Sequence, residues 1–251
     1  EKAGLFNRIS KLDSELTLDE IYALSQKMKL ICKPDVAASS RGITILEKGR
    51  TREELQNALK LAKEVNADIV LATDPDADRL GVYALDTKSG EYVPFTGNMS
   101  GMLIAEYILR ERTKLGLMPE NPALVKTIVT TNMADVITKA YNVTEIEVLT
   151  GFKYIGEQIK WFEERGTYNY VFGLEESYGC LAGTHARDKD AIVAVMCLCE
   201  VAAYCKKQGI TVWDMMLDMY EKYGYYKEDL YTITMKGKEG SEQIAAIMEN
   251  L

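Results

Sequence analysis

Paired cysteines, a secretion leader, long apolar runs and an excess of positive charge are all missing from this sequence. The five cysteines, Cys32, Cys180, Cys197, Cys199 and Cys205, are odd in number and form no Cys-x-x-Cys pair. Three of them lie on one apolar stretch, so they read as core residues of a reduced, cytoplasmic protein. The N-terminus shows no basic start followed by an apolar run and a small-residue cleavage site, which predicts a chain without a secretion signal. Its longest apolar run, 191–199, is far short of the roughly 20 residues that cross a bilayer. With 30 basic against 38 acidic residues the formal charge is -8, which argues against nucleic acid or a membrane as the main partner. Repeats at a fixed spacing and low-complexity tracts are absent too. What remains is a globular chain of 251 residues, 47% hydrophobic, with room for one large domain or two modest ones.

Within that chain the stretch Thr73-Asp74-Pro75-Asp76-Ala77-Asp78-Arg79 follows the apolar run 67–72, as a buried strand would run into an acidic loop. Residues two apart in an extended backbone point the same way, so Asp74, Asp76 and Asp78 can converge on one point. Such hard oxygen donors suit Mg²⁺ or Ca²⁺ rather than a soft metal, and Mg²⁺ commonly shares its shell between carboxylates and a phosphate. An EF-hand would need Gly at the sixth place and Glu at the twelfth, where this chain has Arg79 and Leu85. An aspartyl-phosphate phosphatase would use Asp74 as nucleophile and expects a small hydroxyl or apolar residue where Asp78 stands. A plain solvated turn is the remaining alternative.

Capping boxes at Thr17-Leu18-Asp19-Glu20 and Thr51-Arg52-Glu53-Glu54 predict helices over 19–29 and from 51 to a stop at Asn66. Short strands are expected at 30–32 and 43–46, with no function assigned to residues 1–50. Beyond the acidic loop, strands at 81–85 and 92–95 complete a small α/β layer, Pro94 confining the second to an edge or strand end. Gly97 marks a boundary, after which Asn98 caps a long helix ending near Gly116. Strands at 124–130, 146–149 and 168–172 then alternate with helices at 132–141, 152–165 and 188–207, the pattern of a parallel or mixed sheet covered on both faces. A helix to 223, a strand at 230–235 and a helix from 240 close the chain. The fold class expected is α/β, two consecutive three-layer α/β domains with mixed sheets, over 1–96 and 97–251.

Three further stretches carry chemistry. Gly173-Leu174-Glu175-Glu176-Ser177-Tyr178-Gly179 places acids and a hydroxyl in a glycine-flanked loop, where they can bond neighbouring sugar hydroxyls, or form an ordinary acidic turn. Gly183-Thr184-His185-Ala186-Arg187-Asp188-Lys189-Asp190 sets the single histidine beside Arg187 and Lys189 before a buried helix. That cluster, with the N–H groups of the helix start, can hold a phosphate; a structural hydrogen bond is the plainer role for the histidine. Thr150-Gly151-Phe152-Lys153 is a strand-to-helix turn with a lysine at its exit.

In combination and order these four motifs resemble the α-D-phosphohexomutases, the phosphoglucomutase and phosphomannomutase family, over roughly 51–251. The resemblance implies Mg²⁺ on Asp74, Asp76 and Asp78, with Arg79 near a phosphoserine and Lys189 and His185 beside it as catalytic groups. It also implies Glu175, Glu176 and Ser177 on sugar hydroxyls, with Thr150, Gly151, Lys153 and Arg187 along the substrate side of the cleft. Members interconvert hexose 1- and 6-phosphates through a bisphosphate, which also serves as activator, using four domains around a cleft. This chain is similar to the second domain, shortened, and the third, with a lead-in to the fourth. Ser-His-Asn-Pro and Arg-x-Ser-Gly-Thr, which the family's first and fourth domains supply, do not occur in it, so the chain alone is expected to lack mutase turnover. Simpler members carry Gly directly before the acidic pair, where this chain has Leu174. The alternative function is a non-catalytic module that binds Mg²⁺ and a phosphosugar.

Overall fold

A computed structural model describes residues 52–228 and 237–249. The helix expected at 19–29 and the strands at 30–32, 43–46 and 230–235 lie outside those residues. Helix α1 (Arg52–Val65) ends where sequence puts it, with Asn66 in the left-handed region at φ 51. It covers one face of an antiparallel sheet, β1 (Ile69–Thr73), β2 (Leu80–Asp86) and β3 (Glu91–Phe95), in that order. Short loops join these strands, and short loops can reverse a strand but cannot carry it to a parallel neighbour. Among the described residues the first sheet is therefore antiparallel throughout, and Pro94 sits on its edge strand. Alternation splits the sheet: Val70 and Tyr92 pack on Ala62, while Ile69, Leu71, Leu80, Val82 and Ala84 face the other way. The Tyr92 hydroxyl closes the α1 side by donating to the carbonyl oxygens of Ala67 (2.6 Å) and Ala62 (3.0 Å).

The second sheet is mixed. Its strands are β4 (Pro122–Thr127), β5 (Thr144–Val148), β6 (Asn169–Leu174) and β7 (Cys180–Ala182), in the order β5-β4-β6-β7, with β7 alone antiparallel. Helices α2 (Gly97–Leu115), α3 (Met133–Ala140), α4 (Phe152–Arg165), α5 (Ala191–Gln208), α6 (Val212–Tyr223) and α7 (Gly237–Glu249) complete the fold. Ala123 and Val125 of β4 pack with α4 residues Ile155 and Ile159, whereas Leu124 joins a core with residues of α2, α3, α5 and α6. That core also takes the inner face of the antiparallel sheet. Helices α2, α5 and α6 are thus shared by both sheets, which is why α5 is apolar nearly all round. Buried Glu106 fastens this layer, accepting from the hydroxyls of Tyr141 and Tyr223, each at 2.8 Å. No described helix is long and apolar enough to cross a membrane.

Several boundaries differ from the sequence reading, and four have an identifiable physical reason. Thr96 rather than Asn98 caps α2, its hydroxyl accepting from the Met99 N–H at 3.2 Å; buried Asn98 instead accepts from the Thr131 N–H. Strand β4 stops at Thr127 because a turn follows, closed by the Thr130 N–H on the Thr127 carbonyl at 3.0 Å. Strand β6 runs on to Leu174 by pairing with Lys126, and the short β7 had no periodic signal. Helix α5 begins at Ala191, capped by Asp190, so Lys189 lies in the segment leading to it.

Gly97 starts α2 against the loop after β6: a Cβ there would fall on the Glu176 carbonyl oxygen and 2.5 Å from the Tyr178 nitrogen. Those are backbone atoms, with no rotamer to yield. Gly97→Ala should therefore destabilise the chain by roughly 1–3 kcal/mol, read from urea denaturation midpoints; a midpoint equal to wild type would show that the two segments part freely.

Candidate functional site

The acidic loop is built around Asp74. Its N–H donates to the Arg79 carbonyl (3.2 Å) and its carbonyl accepts from Ala77 (3.0 Å). Its Oδ1 accepts from the N–H groups of Asp78 (3.2 Å) and Arg79 (3.1 Å), and its Oδ2 from Arg79 Nε at 2.7 Å. Burial opposes ionisation of Asp74, but hydrogen bonds from Arg79 and Asp78 outweigh it and hold the carboxyl below its ordinary value. One oxygen from each of Asp74, Asp76 and Asp78 lies within 4.8 Å of the others. Oxygens bound to Mg²⁺ at 2.0–2.1 Å are at most about 4.2 Å apart, so this all-oxygen set fits a hard divalent ion in donor chemistry and stands slightly wider than its shell. Asp76 is exposed, and no described residue bonds its side chain.

This loop docks on the one after β6. Arg79 and Gly179 form an antiparallel bridge, the Leu80 N–H donates to the Tyr178 carbonyl (3.1 Å), and the Ala191 N–H donates to the Ala77 carbonyl (3.0 Å). Lys189 completes the contact, its Nζ 2.9 Å from Asp78 Oδ2 and 3.1 Å from Asp188 Oδ1. Its stem crosses Gly179, where any Cβ would collide with it. Burial works against the ammonium charge, yet the hydrogen bonds to Asp78 and Asp188 prevail and raise its pKa. Asp78 is therefore shared by Arg79 and Lys189.

Glu175 is buried, and its N–H donates to the Gly179 carbonyl (2.9 Å). Burial pushes its pKa up, with Glu176 and Asp188 adding to the rise and Lys189 opposing it. Glu176 accepts from the Thr127 hydroxyl at 3.3 Å, and Ser177 is half-buried beside it. Gly151, Glu175, Glu176, Lys189 and the aspartates thus gather at the C-terminal ends of the parallel strands. Between β4 and β6 the chain switches sides of the sheet, the usual place for a ligand crevice in such folds. Thr150 is exposed, and exposed Lys153 holds its ammonium 4.9 Å from the Tyr154 ring.

The basic cluster does not converge. Lys189 meets Asp78, His185 Nε2 is 2.9 Å from Asp190 Oδ2, and Arg187 makes a two-pronged contact with Glu163 of α4 at 2.7 and 2.6 Å. Nor are the first N–H groups of α5 open to an anion, since Asp190 takes those of Ile192 and Val193. The Arg187 pair is about half exposed, and such surface pairs are worth about 0–1 kcal/mol. Sequence reasoning passed over Thr127, Thr130 and Asn98; the hydroxyl-rich run Thr127-Ile128-Val129-Thr130-Thr131, read as strand, was the signal.

An α/β fold with a three-aspartate loop against an acidic, hydroxyl-bearing loop defines the class. The family description "Phosphoglucomutase/phosphomannomutase, alpha/beta/alpha domain III" matches residues 96–223, and that for domain II of the same family matches 22–87. Phosphoglucomutases of Staphylococcus aureus, strains bovine RF122 / ET3-1 and USA300, are each 34% identical to the chain over 217 residues, covering 86% of it. The chain spans 38% of the length of those relatives. A crystal structure from Thermus thermophilus, assigned as a phosphomannomutase, superposes with a TM-score of 0.54 at 22% identity, over 69% of this chain and 35% of that one. The chain belongs to the phosphoglucomutase/phosphomannomutase family.

At the end of β4 lies a second ionic cluster. The Lys126 side chain is 1% exposed and its Nζ meets Asp135 (3.1 Å), Glu147 (3.3 Å), Glu145 (3.6 Å) and Asn132 (3.3 Å). Three carboxylates around one ammonium favour keeping a proton. Burial and the Asp135 hydrogen bond push Glu145 up to about 7, while the bonds from Glu145 and Lys126 overcome burial and lower Asp135. A carboxyl at about 7 folded and 4.5 unfolded binds more protons in the native state between those values. Its contribution is thus fully present below pH 4.5 and lost as pH rises through 7. Glu145→Gln, a mimic of the protonated acid, should flatten that fall; urea midpoints at pH 5 and pH 8 in both proteins measure it, and equal slopes would count against the shared proton.

Proposed function

We propose that this chain is the metal-loop and sugar-loop part of a mutase that interconverts hexose 1-phosphate and hexose 6-phosphate through a phosphoserine and a bisphosphate intermediate. The observation that carries the reading is the docking of the Asp74–Arg79 loop on the Glu175–Gly179 loop, with Lys189 bridging them. A metal-type carboxylate set then stands beside groups that suit sugar hydroxyls. Residues 1–96 would correspond to the family's second domain and 97–251 to its third. The serine loop and the second phosphate loop would come from the first and fourth domains, outside this chain.

In that assembly Asp74, Asp76 and Asp78 hold Mg²⁺. The ion, when bound, offsets charge on the transferred phosphoryl group. Arg79, Lys189 and His185 supply fixed positive charge or a proton at the phosphate, and Arg187 and Lys153 bind the distal phosphate from the rim. Glu175, Glu176 and Ser177 bond the sugar hydroxyls, with Thr150 and Gly151 shaping that wall. Chemistry of this kind rests on positioning and charge neutralisation, so residues held by a common network suit it. A hexose 1,6-bisphosphate activator and a cytoplasmic location follow from the same reading. The phosphatase alternative is disfavoured because both Asp74 oxygens are already bonded within the loop, which leaves a poor nucleophile; failure to trap beryllofluoride on Asp74 would agree.

Calorimetric titration with Mg²⁺ should give a single site, weakened about tenfold or more by Asp76→Asn, a change at an exposed side chain that leaves the loop's internal bonds intact. Equal affinity in the variant would remove the metal assignment. The chain alone should show no conversion of glucose 1-phosphate to glucose 6-phosphate, measured in a preparation free of host mutase; a genuine rate would overturn the view that the nucleophile lies elsewhere.

A further inference from the structure

Thr127 ends β4 and Thr130 closes the turn after it, residues to which neither the motifs nor the proposed chemistry assigns a role. Both side chains are buried, at 0% and 3% exposure. Their hydroxyl oxygens lie 2.8 Å apart, and Thr127 Oγ1 lies 3.3 Å from Glu176 Oε2. The Thr127 hydroxyl donates its one proton to the Glu176 carboxylate, so its oxygen accepts from Thr130. Each bond polarises the next. The other oxygen of Glu176, Oε1, has no partner among the described residues, so the relay pins one end of the carboxylate and leaves the other to a ligand.

We propose that Thr127, backed by Thr130, is a positioning residue that sets the orientation of Glu176 and hence which sugar hydroxyl its free oxygen meets. The proposal rests on the sugar-loop reading above. The hydroxyls themselves are buried behind Glu176 and act through it. The remaining contacts agree: the Thr130 N–H holds the Thr127 carbonyl at 3.0 Å, and Asn98 at the start of α2 accepts the Thr131 N–H at 3.2 Å. The relay is thus tied to β4 and α2, outside the loop it steers.

The test compares wild type with Thr127→Val, Thr127→Ser and Thr130→Val in the whole chain. Side-chain scalar couplings of Glu176 are measured by NMR without ligand, and affinity is measured by titration with glucose 6-phosphate. Thr127→Val should turn a single Glu176 rotamer into an average and weaken binding about tenfold. Thr127→Ser should restore both, and Thr130→Val should show a smaller loss of each. An unchanged Glu176 rotamer in Thr127→Val, or no rescue by serine, overturns the proposal. Should wild type bind no glucose 6-phosphate, the sugar-loop reading fails, and the ligand-free couplings still decide whether Thr127 orients Glu176. If Thr127→Val does not fold, the Thr130→Val couplings decide instead: an unshifted rotamer there sinks the relay.

Discussion

The short backbone pairing between Arg79-Leu80 and Tyr178-Gly179 is the constraint on which the site depends. It joins the end of one sheet's loop to the loop of the other, and two such bonds specify a register that side chains alone would leave loose. Around it the chain has discarded every atom that would intrude. Gly179 has no Cβ because the Lys189 stem passes there, and Gly97 has none because the Glu176 and Tyr178 backbone does. Tyr178 pays for the same geometry with a φ of 72, a region that costs a non-glycine residue energy. Lys189 and the Ala191 N–H then lock the acidic loop from its other side.

Behind this joint the apolar core leaves little freedom. Helices α2, α5 and α6 bury residues against both sheets at once, so a rotation of one sheet against the other would open cavities on both faces of that layer. Deleting packed methylenes costs kilocalories each, well above the worth of a surface ion pair. The core, not the ion pairs, therefore sets the spacing between the two loops, and Lys189 and Arg79 adjust charge within a gap already fixed. The Glu106 network serves the same layer at its far end, where Tyr141 and Tyr223 meet one carboxylate.

Local patterns in the sequence revealed most of the elements, and long-range pairing explains what they did not. Alternation made the Asp74, Asp76, Asp78 loop legible, and capping made α1 so. The α2 cap was misplaced by two residues because Asn98 and Thr96 are both good capping residues, and the choice turned on a bond to Thr131, far along the chain. The same limit applies to the basic cluster. His185, Arg187 and Lys189 are neighbours in sequence, yet each found a carboxylate on a different segment: the helix cap, α4 and the acidic loop. Thr127 was invisible for a related reason. A threonine ending a strand is common, and its partner Glu176 lies 49 residues away.

Three aspartates that look equivalent in sequence have become unequal in the fold. Asp74 uses both oxygens to hold the loop closed, so its charge is the best fixed of the three. Asp78 is drawn towards Lys189, a bond that reaches the other sheet's loop. Asp76 is exposed, and no described residue bonds its side chain. On the proposed reading, a cation entering this set would meet a rigid oxygen, a shared one and a free one, and it would compete with the Lys189 ammonium for Asp78.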